Sequence, residues 1–375
     1  MDTARYGGAN AAAPRVAGHF ARHIAAAQRN GQQTAPAPSV ATVEAIIDAA
    51  FWTSLRREEG YLPRISLAYL PPQQAPRPLL FERPIPLAPS FLARLAPAVE
   101  RAGIHLGVWE RGGELCVWGT TRTIPIYCFV LEVTSPGQLV IKHHRGEESG
   151  KFINVAVLEG DRLMMIDERA SSLPDCPPLL TSLLGFDAPA SWAESVNVLV
   201  QLAASMRAHQ RGGALLVVPS GTDTWRESIV QPILYSIHPY FAELTELMNH
   251  RATERLWQEA FGRAVDGVAG LTAVDGATII TDRYELLAFG AKIGRRDSSP
   301  RVESVIVTEP IEGSVATTMN PSEMGGTRHL SAAQFVHDQR NAVALVASQD
   351  GRFTVFAWSP CESTVHAHRV EALLL

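Results

Sequence analysis

Arg211-Gly212-Gly213-Ala214-Leu215-Leu216-Val217-Val218 is the stretch on which the fold turns. A glycine pair runs straight into an unbroken apolar run, the pattern of a strand buried on both faces. Just upstream, residues 192–209 carry Val196, Leu199, Val200, Ala203 and Met206 at helical spacing, so a helix delivers directly into that strand. Downstream, residues 240–264 read as further helix, and residues 277–281 and 286–291 as a strand, turn and strand. Residues 342–347 and 352–358 read as a closing hairpin around Asp350-Gly351. Helices interleaved with buried strands predict an α/β domain, a mixed sheet flanked by helices over residues 190–375.

The first half reads differently. Val43, Ile46, Ile47, Ala50, Phe51 and Leu55 recur at helical spacing, with Thr42 placed as a cap. Beyond them, short apolar runs broken by Gly and Pro predict a smaller, β-rich α+β domain over residues 41–185. Its clearest hairpin runs from Val108 to Trp118 around Gly112-Gly113, and it sets Trp109 and Trp118 to face one another as packing residues. Lys142-His143-His144-Arg145 reads as a solvated turn, with contact to an anion as the other reading. Pro174, Pro177, Pro178 and Pro189 mark the domain boundary. Residues 1–40 are rich in Ala, Gly, Arg and Pro with Asp2 as the only acid, and predict a flexible leader, with a transit peptide as the alternative.

Composition narrows the function classes. The chain has 375 residues, 46% hydrophobic and 19% charged, with a formal net charge of -5. Two domains of ordinary size fit that length, and the charge offers DNA no general attraction. No apolar run reaches the roughly 20 residues of a membrane helix, so the expected location is cytoplasmic, with no membrane partner. Cys116, Cys128, Cys176 and Cys361 form no CxxC pair, which signals neither a zinc site nor a disulfide framework. There is no Walker A loop, no GxSxG elbow, no HExxH helix and no GxGxxG turn. His366-Ala367-His368 could grip a metal from one strand face, though a solvated chain end is the plainer reading.

Two loop motifs remain: Asp275-Gly276-Ala277 and Gly326-Thr327-Arg328-His329. A carboxylate beside glycine can hold a divalent metal or a ribose hydroxyl while the backbone comes close. Arg328 can fork across phosphate oxygens, Thr327 can donate a hydroxyl, and His329 can donate to phosphate or ligate a metal. The order of five landmarks resembles the diadenylate cyclase (DisA N-terminal, or DAC) domain. They are residues 211–218, residues 275–280, Leu287-Ala288-Phe289-Gly290-Ala291, Gly326-Thr327-Arg328-His329, and the hairpin around Ser348-Gln349-Asp350-Gly351.

That resemblance implies an ATP-like nucleotide or cyclic dinucleotide as ligand, Mg or Mn when nucleotide is bound, and a homodimer. It implies Asp275 as catalytic residue, Asp275 and His329 at the metal, and Gly276, Ala277, Thr327, Arg328, His329 and Ser348 around the nucleotide. Three departures matter. Leu330 stands where the family has a second arginine, and Gln349 where it commonly has a carboxylate. The interval from Ala277 to Gly326 is long, and residues 295–324 are expected to form a strand-bearing excursion, a lid over the pocket. These departures favour a nucleotide sensor of a bacterial signalling or defence system over an enzyme, similar to the divergent DAC-related group called DACNV. An active cyclase joining two ATP into cyclic di-AMP is the alternative, and a structural or interaction module is the plain reading. The effector protein is not specified by any motif.

Overall fold

The computed structural model describes residues 5–58, 60–144, 152–167, 198–249 and 255–375. The chain divides into two compact units, Met1–Ile166 with Leu375, and Asp167–Leu374. The expected proline-marked boundary, residues 173–189, lies outside the described residues.

In the first unit, the expected flexible leader is instead a packed helix, α1 (Gly7–Arg29). Ala9, Ala12, Ala13, Val16, Phe20, Ile24 and Ala27 are buried on it. Their spacing of three and four residues lays one apolar stripe along the helix, and the burial of that stripe fixes the segment. A second helix, α2 (Val40–Ser54), packs with it, and Tyr6 stacks on Phe51 with centroids 3.7 Å apart. The cap of α2 is Ser39 rather than Thr42: the Thr42 amide donates to Ser39 Oγ at 3.1 Å. Ser39→Ala is expected to destabilise this unit by about 1 kcal/mol, the usual value of such a cap. A urea titration reads this as a lower midpoint at unchanged slope.

Both helices, with α3 (Pro89–Val99), cover one face of an eight-stranded sheet. Its strands are β1 (Ser66–Tyr69), β2 (Leu79–Pro86), β3 (His105–Arg111), β4 (Glu114–Thr121), β5 (Phe129–Ser135), β6 (Gln138–His144), β7 (Phe152–Glu159) and β8 (Arg162–Met165). Their order is β2-β4-β3-β1-β5-β6-β7-β8, and β1 runs parallel to β3. Leu67 and Tyr69 enter the helix-covered core, whereas Ala68 and Leu70 enter a smaller cluster on the other face. The β3–β4 hairpin turns at Gly112-Gly113 as expected, but its tryptophans do not face one another. The two-residue turn pairs Arg111 with Glu114, so Trp109 opposes Cys116, and Trp118 falls where the ladder slips between Val108 and Gly107. Trp109 lies 4.8 Å from the Tyr69 ring, and Trp118 donates to the Leu70 carbonyl at 2.8 Å. The expected basic turn is the end of strand β6, with His143 only 3% exposed and Lys142 paired with Glu132; Arg145 lies outside the described residues.

The second unit is built on a nine-stranded mixed sheet. Its elements are α4 (Val198–Ala208), β9 (Gly213–Val218), β10 (Tyr235–Phe241), α5 (Glu243–Asn249), α6 (Arg255–Leu271), β11 (Ala277–Thr281), β12 (Leu286–Ala291), β13 (Val305–Thr308), β14 (Thr317–Met319), α7 (Pro321–Gly325), α8 (Thr327–Asp338), β15 (Val343–Ala347), β16 (Phe353–Ser359) and β17 (Thr364–Arg369). The order is β10-β12-β11-β9-β15-β16-β17-β13-β14. Strand β9 is the centre, parallel to β11 and antiparallel to β15. Leu215 and Val217 pack under α4 and α6, while Ala214, Leu216 and Val218 pack under α8. Both faces are therefore covered, which is why the β9 sequence shows no polar alternation.

The further helix expected over residues 240–264 is present as α5 and α6, except that Tyr240 and Phe241 end the edge strand β10. Residues 295–324 bear strands as expected, but these extend the sheet and form no lid: Ile306–Thr308 pairs with His366–His368. The loop before β13 is tied to α8, because Asp338 accepts from the Arg296 amide at 2.9 Å and Gln334 accepts from the Val302 amide at 3.0 Å.

The histidines His366 and His368 sit in strand β17, not at a solvated end. His366 reaches Glu362 at 3.0 Å, and the described residues contain no group of three or more metal-ligating side chains. His368 is 4% exposed, meets Thr308 Oγ1 at 2.7 Å, and burial followed by the charge of His366 pushes its pKa down to about 3. Its folded pKa lies below that of an unfolded histidine, so its contribution is complete above about pH 6.5 and falls away as the pH drops towards 3. His368→Gln is expected to flatten the acid slope of stability over that window by up to about 1.4 kcal/mol per pH unit. Denaturant titrations at several pH values measure it.

Candidate functional site

The two loop motifs meet. A cleft of about 230 Å³ is lined by Asp275, Gly276 and Ala277 on one side and by Thr327 and Arg328 on the other, joined by Lys292 and Ser331. Its floor is set by the sheet. Ala277 pairs with Ala214 on β9 and with Ala291 on β12, so three small side chains lie abreast on adjacent strands, and all three line the cleft.

Each wall has a local cause. At Gly276 the backbone takes φ +104°, a region that side chains rarely adopt, and a Cβ there would lie 2.5 Å from the Gly290 carbonyl carbon. Only glycine lets the turn before β11 press against β12. Opposite, α8 starts at Thr327 with Gly326 as its N-cap, and its first turn carries Thr327 and Arg328 into the cleft. The amides of a first helical turn have no intrahelical acceptor and bear the positive end of the helix dipole. Arg328 adds a guanidinium, whose Nη1 lies 2.8 Å from where a Cβ on Gly212 would stand. Gly212 thus clears the space for the arginine. The glycine pair that opens the sheet's central strand shapes the cleft as well.

Arg328 and Lys292 set two cations against the single carboxylate of Asp275. With the α8 amides, this favours a ligand of at least one negative charge. Thr327 and Ser331 supply hydroxyls one helical turn apart.

Two expected members stand elsewhere. His329 does not line the cleft: it is 2% exposed, its ring lies against Gly325 and 5.9 Å from Phe356, and burial lowers its pKa. On a helix, the residue after Arg328 turns about 100° away, and here that direction is the core. Ser348 caps the β15–β16 turn, its amide donating to the Arg352 carbonyl at 2.9 Å, and it is not in the lining. Gln349 is closer, with Cγ 3.4 Å from the same Gly212 Cβ position that Arg328 crowds. As a metal centre, the donor set does not fit: Asp275 is the sole carboxylate of the lining, and His329 is not beside it.

Sequence reasoning missed Lys292 and Ser331. Lys292 directly follows the quoted Leu287–Ala291 landmark, and Ser331 lies four residues after Thr327, one turn of the same helix face. Both signals were present in position, not in residue type.

No curated protein matches the chain. A family model described as "Probable sensor domain DACNV" matches residues 32–122. The expectation tied that likeness to the second half, but the matched residues fall within the first unit, Met1–Ile166. Over residues 32–122 the chain is therefore similar to a probable sensor domain, in the unit that does not hold the Asp275–Arg328 cleft.

Proposed function

We propose that the second unit binds the phosphate end of a nucleotide and that the protein is a nucleotide sensor. The observation that carries this reading is the convergence of Asp275, Lys292, Thr327, Arg328 and the first turn of α8 on one cleft. Small-molecule pockets commonly enclose about 300–1,000 Å³. The cleft, at about 230 Å³, suits phosphates with the sugar and base extending outward. Asp275 is placed to accept from a ribose hydroxyl, Arg328 and Lys292 to bind phosphate oxygens, and Thr327 and Ser331 to complete the hydrogen bonds. The similarity of residues 32–122 to a probable sensor domain favours sensing over turnover.

Calorimetric titration with ATP and with cyclic di-AMP tests the reading. Saturable binding of either supports it, and none at about 1 mM overturns it.

The alternative is a diadenylate cyclase working as a homodimer with Mg or Mn. Leu330 and Gln349 count against it, since a lost cation and a lost carboxylate both weaken stabilisation of phosphoryl-transfer charge. Incubation with ATP and Mn²⁺ is expected to yield no cyclic dinucleotide. A product that Asp275→Asn abolishes would establish the cyclase instead.

A further inference from the structure

The first unit holds a cavity of its own. It encloses about 640 Å³, and its walls include Gln74, His105, Arg122, Ile124, His144 and Phe152. That volume sits in the middle of the usual range for small-molecule sites. It lies among the loops at the strand ends and overlaps the stretch similar to a probable sensor domain.

The chemistry of these walls is unfinished. Gln74 Oε1 and His144 Nδ1 are both buried without a hydrogen-bond partner among the described residues. Buried polar atoms are almost always paired, so two orphans on one cavity mark missing partners. Gln74 Oε1 can only accept, and what it lacks is a donor. Arg122 is exposed at the cavity and forms no ion pair among the described residues, so the cavity offers a cation open to an anionic group. Phe152 meets both histidines edge-on, 5.7 Å from the His105 ring and 5.5 Å from the His144 ring, and Lys142 Nζ lies over one of its faces at 4.8 Å, so the three rings form one aromatic wall. His105 is 3% exposed and held by Ser66 Oγ at 2.7 Å; burial, then Lys142 and His144, lower its pKa to about 4, which keeps it neutral at physiological pH. Burial likewise lowers His144. The walls therefore present flat neutral rings, an acceptor and one cation at the mouth.

We propose that this cavity is a ligand site for a small planar aromatic anion bearing a ring N–H or O–H donor. Its ring packs against Phe152 and the histidines, its donor meets Gln74 Oε1, and its anionic group pairs with Arg122. The site stands independently of the nucleotide cleft in the second unit.

Two kinds of molecule carry that chemistry, a purine mononucleotide and a hydroxylated aromatic acid, and one titration separates them. The full chain carrying Arg328→Ala, which weakens phosphate binding in the other cleft, is titrated with GMP and with 4-hydroxybenzoate. Guanosine, without the anion, and ribose 5-phosphate, without the ring, serve as controls. At least one of the two probes is expected to saturate with a Kd below about 1 mM, both controls binding about tenfold or more weakly. Arg122→Ala and Gln74→Leu are each expected to weaken the better probe about tenfold. Ring signals of His105 and His144, each identified by its loss in a folded His105→Gln or His144→Gln variant, shift on binding and provide a readout that needs neither Arg122→Ala nor Gln74→Leu to fold. Saturation by neither probe, or ring signals that stay in place when a probe saturates, overturns the proposal.

Discussion

Arg328→Ala is expected to weaken binding of ATP or a cyclic dinucleotide to the second unit by about 10–100-fold. The number follows from one charge-assisted hydrogen-bond pair to phosphate, worth about 1.5–3 kcal/mol when its partner is retained. Arg328 sits in the first turn of α8, where its cation adds to the helix dipole, and only Lys292 shares the phosphate side of the cleft. Arg328→Lys should recover part of the loss, because it keeps the charge and forfeits the planar fork. Calorimetry at fixed salt measures both, and circular dichroism shows whether α8 survives. An unchanged Kd in Arg328→Ala would remove Arg328 from the phosphate assignment, and an unchanged Kd in Arg328→Ala with Lys292→Ala would remove the assignment itself.

Gly276→Ala is expected to be the most damaging small substitution near the cleft, costing about 3 kcal/mol or more. Two effects combine. A side chain at φ +104° is strained by about 1–3 kcal/mol, and the new Cβ would approach three backbone atoms: the Gly290 carbonyl carbon at 2.5 Å, its oxygen at 2.8 Å and the Ala291 amide nitrogen at 2.9 Å. Backbone cannot rotate aside as a side chain can, so the β11–β12 pair must part. For a unit of this size the melting midpoint should fall by about 6–12 °C. Differential scanning calorimetry reads the shift, and a fall of less than about 2 °C would show that the turn relaxes freely.

The sequence was most legible where burial imposes a pattern. Residues 214–218 are apolar on every position because α4 and α6 cover one face and α8 the other, and that run announced the central strand. The β15–β16 hairpin was legible from the Asp350-Gly351 turn signal between two apolar runs. The two loops of the cleft were singled out by the order of landmarks that resembles the DAC domain, since the Asp275 and Arg328 motifs are each short and far apart in sequence.

Other features were hidden, each for a physical cause. In β10, Tyr235–Phe241 is mostly exposed and interrupted by Pro239, so no alternation marks it as a strand. His329 was grouped with Arg328 by adjacency in sequence, yet consecutive residues on a helix point in different directions, and His329 turns into the core. In α1 the error ran the other way. The composition of a mobile arm concealed a helical period that Val16, Phe20 and Ile24 spell out. Small alanines bury little area singly, but they let α1 approach α2 closely, and Phe20 supplies the large buried surface. Gly212 is marked as part of a strand entry by its neighbours in sequence, while its second task, leaving room for Arg328, depends on a residue more than a hundred positions away.

The borders of the larger sheet have a consequence for the protein's behaviour at high concentration. On one side lies β14, three residues long; on the other lies β10, whose pairing with β12 is broken between Ser236 and Phe241 and which contains Pro239. A brief rim and a proline-bearing, irregular one give a foreign strand too few consecutive hydrogen-bonding groups to zip onto. Nine strands can thus lie open-edged without templating fibrils.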